Sequence, residues 1–469
     1  QVPVLMPFPL EPLYLMARSR PIRARSNLNA GTYWPLVRGN MTIIDDLISG
    51  RYQHAGQPAL DVLARSVHIQ PDLTGKEADV VRALRFPGPF AVISDPDTHR
   101  VLGGRVEKAL AQLGETIFIN LPAHPHADIE TANMVAESTA DAGSIIAVGS
   151  GTINDLCKYA AAKNGIECAV FATAPSMNGY TSVSAAITVD GLKKSLTTVA
   201  PVGVFMDLQV LSEAPKRMIQ SGLGDSVCRP MAQADWLMNH ILYNSTYNTL
   251  PFDLLMAEEG PLLANASALV NNDMLAVGGL ARTLILSGMG MTICGGSYPA
   301  SQGEHLISHY VEMMRPTDMP DSFHGEQIAV TTLIMARLQE RILAGGVPKV
   351  SPTKINEASI LAHFGPSIGA ACWQEFTHKH LDEEGADRLN ARLAECWPEV
   401  VKRVSAISVP SETIATALGD AGAPTSYADI GLDRSFICEA ITYARTIRNR
   451  YTFLDLADDS GMLTAEDLI

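Results

Sequence analysis

At 469 residues the chain is longer than one hydrophobic core usually spans, so two domains are expected. Hydrophobic residues at 47% and charged residues at 18% give a globular balance and exclude disorder as the main state. A formal net charge of -15 gives the long-range field the wrong sign for nonspecific binding to nucleic acid or anionic membrane, while small anions still respond to the local field of a cleft.

Residues 1–38 read as an irregular N-terminal extension or a partner-docking arm. "QVPVLMPFPLEPLYLMARSRPIRAR" is apolar and broken by prolines, and Arg18, Arg20, Arg23 and Arg25 follow the apolar part. That is the reverse of a signal peptide's charge order.

From 39 to 215 the chain alternates short apolar runs with amphipathic stretches. "FAVISD" (90–95), "TIFIN" (116–120), "SIIAVGSG" (144–151), "CAVFATA" (168–174) and "GVFMD" (203–207) read as buried strands, short, rich in Ile, Val and Phe, and bounded by turn residues. "ETANMVAESTA" and "INDLCKYAAAKNG" between them read as helices. Such alternation predicts an α/β domain with a mostly parallel sheet covered on both faces.

Two positions in this half are candidates for a ligand. In "AVGSGTINDLCKY" a strand, a glycine turn and a helix follow one another. Gly149 and Gly151 can bring backbone amides close to an anion, and Thr152 or Asn154 can cap the helix. A glycine pair can also serve only to turn the chain, and the spacing is not GxGxxG. Asp155 falls in the first helical turn, where the dipole alone favours it. Asp95, at the end of its strand, can accept both hydroxyls of an adenosine ribose and repel a 2′-phosphate; the alternative is a turn residue in "DPDT".

From 216 to 469 strand signals nearly vanish. "GDSVCRPMAQADWLMNHILY", "AVGGLARTLILSGMGM", "GEQIAVTTLIMARLQERILAGG" and "GADRLNARLAECWPEVVKRV" carry helix-period apolar faces, and their Met and Ala read as packing between helices. An all-helical domain therefore follows the α/β domain, with a site expected in the cleft between them. Within 301–330, His305 and His309 lie four apart on one helix face, and His324 precedes "GEQ", the start of another helix. The seven cysteines are scattered and none forms a CxxC pair, so no disulfide framework is expected and a reducing cytoplasm is the natural compartment. No apolar run reaches the roughly 18 residues that span a bilayer.

The motifs "SDPDTHRVLGG", "GSGTINDLCKY", "TAPSMNGYTSVSAAIT", "SGLGDSVCRPMAQADW" and "GEHLISHYVEMM…FHGEQIAV", in that order, resemble the superfamily of glycerol dehydrogenases, iron-containing alcohol dehydrogenases and 3-dehydroquinate synthases. Within it the likeness is to the glycerol-1-phosphate dehydrogenase group, from about residue 40 to the end. The resemblance implies a Rossmann-like NAD(H) domain, with NADP(H) as the alternative, binding through Gly149, Ser150, Gly151 and Thr152, Asp155 just beyond, and Thr173, Ser176 and Ser182. Asp95 matches the usual NAD-selecting aspartate. Asp225, His305 and His324 match the ligands of a divalent metal (zinc, nickel or iron), and His309 matches a proton-relaying histidine. Two imidazoles and a carboxylate leave positions open, the pattern of a catalytic metal.

Two departures bear on the substrate. Arg229 stands where iron-containing alcohol dehydrogenases carry a fourth ligand. A guanidinium cannot ligate, but on the same helix side as Asp225 it could bind a substrate phosphate, or instead pair with Asp225 or a neighbour. Asn178 stands where glycerol dehydrogenases have a substrate-contacting aspartate, and it is kept as a catalytic and substrate-binding candidate. Lys158 and Lys194 are further candidates for phosphate or ribose contact, or else surface lysines. The expected activity is reduction of dihydroxyacetone phosphate to sn-glycerol 1-phosphate by a homo-oligomeric enzyme. The rivals are a polyol or alcohol dehydrogenase, a dehydroquinate-synthase-like lyase, and a binding protein that keeps the fold.

Overall fold

The computed structural model describes residues 43–54, 60, 62–189, 192–316 and 319–469; the expected extension at 1–38 lies outside them. All five expected strands form: β2 (Phe90–Ser94), β3 (Thr116–Asn120), β4 (Ser144–Gly149), β5 (Glu167–Ala172) and β8 (Gly203–Asp207). An edge strand not expected from the sequence, β1 (Ser66–Gln70), joins them. The six pair in parallel in the order β1-β8-β5-β4-β2-β3. A separate antiparallel hairpin, β6 (Ser184–Val189) with β7 (Leu192–Thr197), was also not expected.

Every residue of β2, β4 and β8 is buried, because helices cover both faces of the sheet. Alternation along β4 sends Ile146 and Val148 into a core with helices α1 (Glu77–Leu84) and α2 (Gly104–Leu110). Ile145 and Ala147 point the other way, against α3 (Ile129–Ser138) and α4 (Gly151–Asn164). The chain steps outward from β2 to β3 and then returns to the other side of β2 with β4. At such a reversal the connections leave in opposite directions, and a crevice opens at the carboxyl ends of the two strands. Asp95 follows β2 there, and Ser150 and Gly151 follow β4.

Beyond Asp207 the described residues contain no strand. The helices that matter are α5 (Lys216–Val227), α6 (Arg229–Tyr243), α7 (Met274–Ile293), α8 (Gly303–Met314), α9 (His324–Leu343) and α10 (Glu357–Phe376). The stretch expected to be one helix is two, α5 and α6, separated at Cys228. Pro230 sits in the first turn of α6, where its missing N–H costs nothing.

Glycines set how closely α5 approaches its neighbours. A Cβ on Gly224 would lie 2.0 Å from the Gly325 carbonyl oxygen, and one on Gly325 would lie 1.8 Å from that of Ser221. A Cβ on Gly222 would lie 1.8 Å from the carbonyl oxygen of Pro175, in the segment after β5. Backbone therefore meets backbone on two sides of α5, which no side chain would permit. Helix α7 is long and apolar enough, by length and composition alone, to cross a membrane. Most of it is buried inside the fold, and Arg282, its one charged residue, pairs with Glu258.

Candidate metal centre and cofactor crevice

Helices α5, α8 and α9 converge on the expected set. Asp225, His305 and His324 present ligand atoms that all lie within 4.8 Å of one another. His305 Nε2 is 3.8 Å from Asp225 Oδ1, and the His305 and His324 rings are 5.2 Å apart. The two oxygens of Asp225 differ. Oδ2 accepts the backbone N–H of Asn178 at 2.8 Å, whereas Oδ1 is buried with no hydrogen-bond partner. A buried carboxylate oxygen left unsatisfied is costly, and a cation between it and two imidazoles removes the cost. The donor set thus fits a divalent metal of borderline softness. His324 is only half-buried, which leaves one side of the set open.

Two carboxylates that were not among the expected residues hold the imidazoles. Glu304 Oε1 lies 3.0 Å from His305 Nδ1 and also accepts the Gln302 N–H. A proton on Nδ1 leaves the Nε2 lone pair facing Asp225, the usual way a carboxylate orients a ligating histidine. Burial, with His324 beside it, brings the His305 pKa down to about 3, so the ring is neutral, as a ligand must be. Burial raises Glu304 to about 7. Glu312 spans two rings, with Oε2 3.3 Å from His309 Nδ1 and Oε1 3.4 Å from His324 Nδ1. Burial lowers His309 to about 4 although Glu312 opposes the shift. Glu312 is legible as an i+3 neighbour of His309, and Glu304 as the residue adjoining His305. A second cluster, Cys228, Glu304 and His305, is also close enough for a metal. Burial holds the Cys228 thiol well above its usual pKa, and a thiol ligates only as thiolate, so the first set is the better one.

At the sheet, Ser150 is the N-cap of α4 with extended backbone and no side-chain cap bond. Neither Thr152 nor Asn154 caps the helix, contrary to expectation; Asn154 is buried and donates to the Gly179 carbonyl at 3.4 Å. The first amides of α4 are therefore left for an anion at the crevice. Asp155 accepts the Ala186 N–H at 3.0 Å and pairs with Lys158 at 2.9 Å. Lys158 is no surface lysine. It is fully buried and donates to the carbonyls of Gly179 and Ser184, so this pair fastens the hairpin and the 178–182 loop to α4. Lys194 is exposed on β7.

Thr173 and Ser176, both buried, follow β5, and the Thr173 N–H donates to the Gly149 carbonyl at 3.1 Å. Ser182 Oγ donates within its own loop, to the carbonyls of Gly179 and Ser184. Asp95 uses Oδ1 to cap the short turn after β2, accepting the Thr98 N–H at 2.8 Å and its hydroxyl at 2.9 Å. The turn-residue alternative is thus observed, and Oδ2 is not used by it.

Arg229 takes the neighbour ion pair of the arrangements left open by the sequence. It pairs with Glu259, donates to Gln233 Oε1 at 3.2 Å, and lies over the Phe252 ring at 5.5 Å. Burial lowers its pKa to about 10. It opens α6 rather than continuing α5, and its ion pair is with Glu259 and not with Asp225.

Residues 68–215 match the iron-containing alcohol dehydrogenase family. The glycerol-1-phosphate dehydrogenase (NAD(P)+) of Thermococcus kodakarensis is 32% identical over 317 residues, covering 64% of this chain and 89% of that relative. Its counterpart from Bacillus licheniformis is 26% identical over 379 residues, 80% of this chain and 83% of the relative. In fold the chain is similar to a probable glycerol dehydrogenase from Sinorhizobium meliloti, with TM-score 0.55 at 15% identity, covering 85% of this chain and 95% of the other. It is likewise similar to an archaeal alcohol dehydrogenase from a Red Sea brine pool, with TM-score 0.54 at 13% identity, covering 89% and 98%. With 32% identity sustained over 89% of a relative's length, the chain belongs to the glycerol-1-phosphate dehydrogenase family.

Proposed function

We propose that the protein reversibly reduces dihydroxyacetone phosphate to sn-glycerol 1-phosphate, with NAD(P)H as the hydride source. The observation that carries the reading is the orphaned Asp225 Oδ1 facing His305, on a carboxylate tied by its other oxygen to Asn178 at the sheet side of the molecule. A divalent cation held by Asp225, His305 and His324 would supply Lewis acidity at the substrate carbonyl, and a nicotinamide in the crevice would supply hydride.

The chain's own residues do the rest. Glu304 keeps His305 in the tautomer that points Nε2 at Asp225. Glu312 fixes His309 through Nδ1, which leaves His309 Nε2 as the atom that passes a proton to or from the alcohol oxygen, through ribose or water. The first amides of α4, at Gly151 and Thr152 beyond Gly149 and Ser150, receive the pyrophosphate; Thr173, Ser176 and Ser182 border it, and Asp155 braces the turn. Asp95 Oδ2 is left for the ribose hydroxyls, which favours NADH over NADPH. Zinc suits the N/O donors, with nickel and iron(II) as the alternatives. Free cysteines, most of them buried, suit a reducing compartment.

The test is NADH oxidation by the metal-loaded enzyme, with dihydroxyacetone phosphate, dihydroxyacetone and a medium-chain aldehyde compared. Turnover should be highest with the phosphorylated ketone and should cease on chelation. No NADH consumption with dihydroxyacetone phosphate would sink the reading.

A further inference from the structure

Because Arg229 is committed to Glu259 and Gln233, a substrate phosphate needs another cation. Helix Arg434–Tyr443 runs into a 3-10 turn, Ala444–Ile447, that packs against both α8 and α10. Three arginines, Arg445, Arg448 and Arg450, lie on or just after this turn, and they differ in what they touch. Arg445 is fully buried and saturated by Asp455, Asp458 and Asp459. Arg450 donates to the Ser301 carbonyl and to Ser297 Oγ, and stacks on Tyr298 at 4.5 Å. It is thereby fastened to the loop that leads into α8.

Arg448 is unlike both. Among the described residues its guanidinium has no ion pair, hydrogen bond or ring partner. It is half-buried, and burial lowers its pKa against the pull of Glu375 and Tyr298. Glu375 is exposed on α10 and makes no ion pair with it. A cation withdrawn from water without a carboxylate partner is costly to keep. Its field reaches His309, whose ring is 6.0 Å from that of His305, and the field of Arg450 reaches His305 and Glu304. An unpaired guanidinium therefore stands beside the ligand helix. In the proposed substrate the phosphate is separated from the reacting carbonyl by only one methylene and one ester oxygen.

We propose that Arg448 is the anchor for the substrate's phosphomonoester, its planar fork gripping two phosphate oxygens while the fastened Arg450 adds positive field behind it. The inference rests on the reading of the reaction given above and names the residue that makes the site select a phosphorylated ketone. Binding the dianion supplies the partner that the fold withholds from Arg448, and it fixes the carbonyl relative to His305 and His309.

The experiment measures binding of inorganic phosphate to the zinc-loaded enzyme with NAD+ in place, by calorimetry, alongside KM for dihydroxyacetone phosphate. Arg448→Ala should weaken phosphate by about tenfold or more and raise KM by a similar factor, and Arg448→Lys should recover part of both. Metal content and circular dichroism of each variant separate this from misfolding. Unchanged phosphate affinity and KM in either variant overturns the inference while the reaction stands. Phosphate binding that is lost in Arg448→Ala, in an enzyme that does not reduce dihydroxyacetone phosphate, supports the anion site and overturns the reaction instead.

Discussion

Asp95 caps a turn and is proposed to select the cofactor with the same carboxylate, and the two tasks can be separated. Oδ1 caps the turn after β2 through Thr98, which leaves Oδ2 for a ribose. Asp95→Gly should shift the NADH-to-NADPH ratio of kcat/KM toward NADPH, since a 2′-phosphate no longer meets a carboxylate. Loss of the cap costs only a few tenths of a kcal/mol with glycine, against about 1 kcal/mol with alanine, so Tm should move little. If the wild-type enzyme already prefers NADPH, the role given to Asp95 is wrong. At this scale the sequence was most legible where spacing encodes a shared surface. His305 and His309, four apart, do share a face, and His324 does open the next helix. Arg229 was left open between a substrate phosphate and a neighbouring carboxylate, and its pair with Glu259 is the second of these. Glu304 and Glu312 lie inside the same motif, but which imidazole each carboxylate meets depends on side-chain direction, which spacing does not encode.

Helix packing brings Asp225 to His324, and glycines allow it. A Cβ at Gly325 would sit 1.8 Å from the Ser221 carbonyl oxygen. That atom is backbone and cannot rotate away, so α5 and α9 would have to separate. Gly325→Ala should destabilise the protein by about 1–3 kcal/mol, the usual cost of overpacking, and should also weaken metal binding although no ligand is changed. Gly419→Ala is the contrasting variant. Gly419 is exposed in helix Ser411–Asp420 with no other element within 4 Å of an added Cβ, so alanine there should raise stability by up to about 1 kcal/mol. Thermal melts with and without zinc distinguish the two; a Gly325→Ala protein with wild-type Tm and metal affinity would refute the packing account. The strands buried on both faces were readable as continuous apolar runs. β1 was not, because its burial alternates along an edge strand. The β6–β7 hairpin was not, because burial alternates along β6 too, with only Ala185 and Ile187 fully buried, although Asp190–Gly191 between the strands is a turn signal.

Across the whole molecule, the sheet half and the helical half meet through the segment that follows β5. The Asn178 N–H holds Asp225 Oδ2, the Thr181 hydroxyl donates to the Ile285 carbonyl of α7, and a Cβ on Gly288 of that helix would lie 2.4 Å from the Asn178 carbonyl oxygen. The same segment starts at Thr173, which donates its N–H to Gly149, at the turn proposed to receive the cofactor. The general two-part architecture was visible in the change from strand to helix grammar, but this linkage was not, since it depends on one backbone N–H. It has a thermodynamic consequence. Without a cation, Asp225 Oδ1 is buried and unpaired while Oδ2 holds the Asn178 N–H, so the carboxylate is restrained on one side only. With a cation the carboxylate is fixed, and the 173–182 segment is fixed with it. Metal and NADH should therefore bind cooperatively, with a coupling of about 1–3 kcal/mol, roughly 5- to 150-fold in affinity. Linkage requires the effect to be reciprocal: the ratio of NADH dissociation constants, chelated over zinc-loaded, must equal the ratio of zinc dissociation constants without and with NADH. Nucleotide fluorescence gives the first ratio and a competing chelator the second. Asn178→Pro removes the N–H that joins the two sites and should shrink both ratios toward one, provided circular dichroism shows the variant folded. Identical NADH affinity in zinc-loaded and chelated wild-type protein would show that the segment carries no coupling and that the two halves bind their ligands independently.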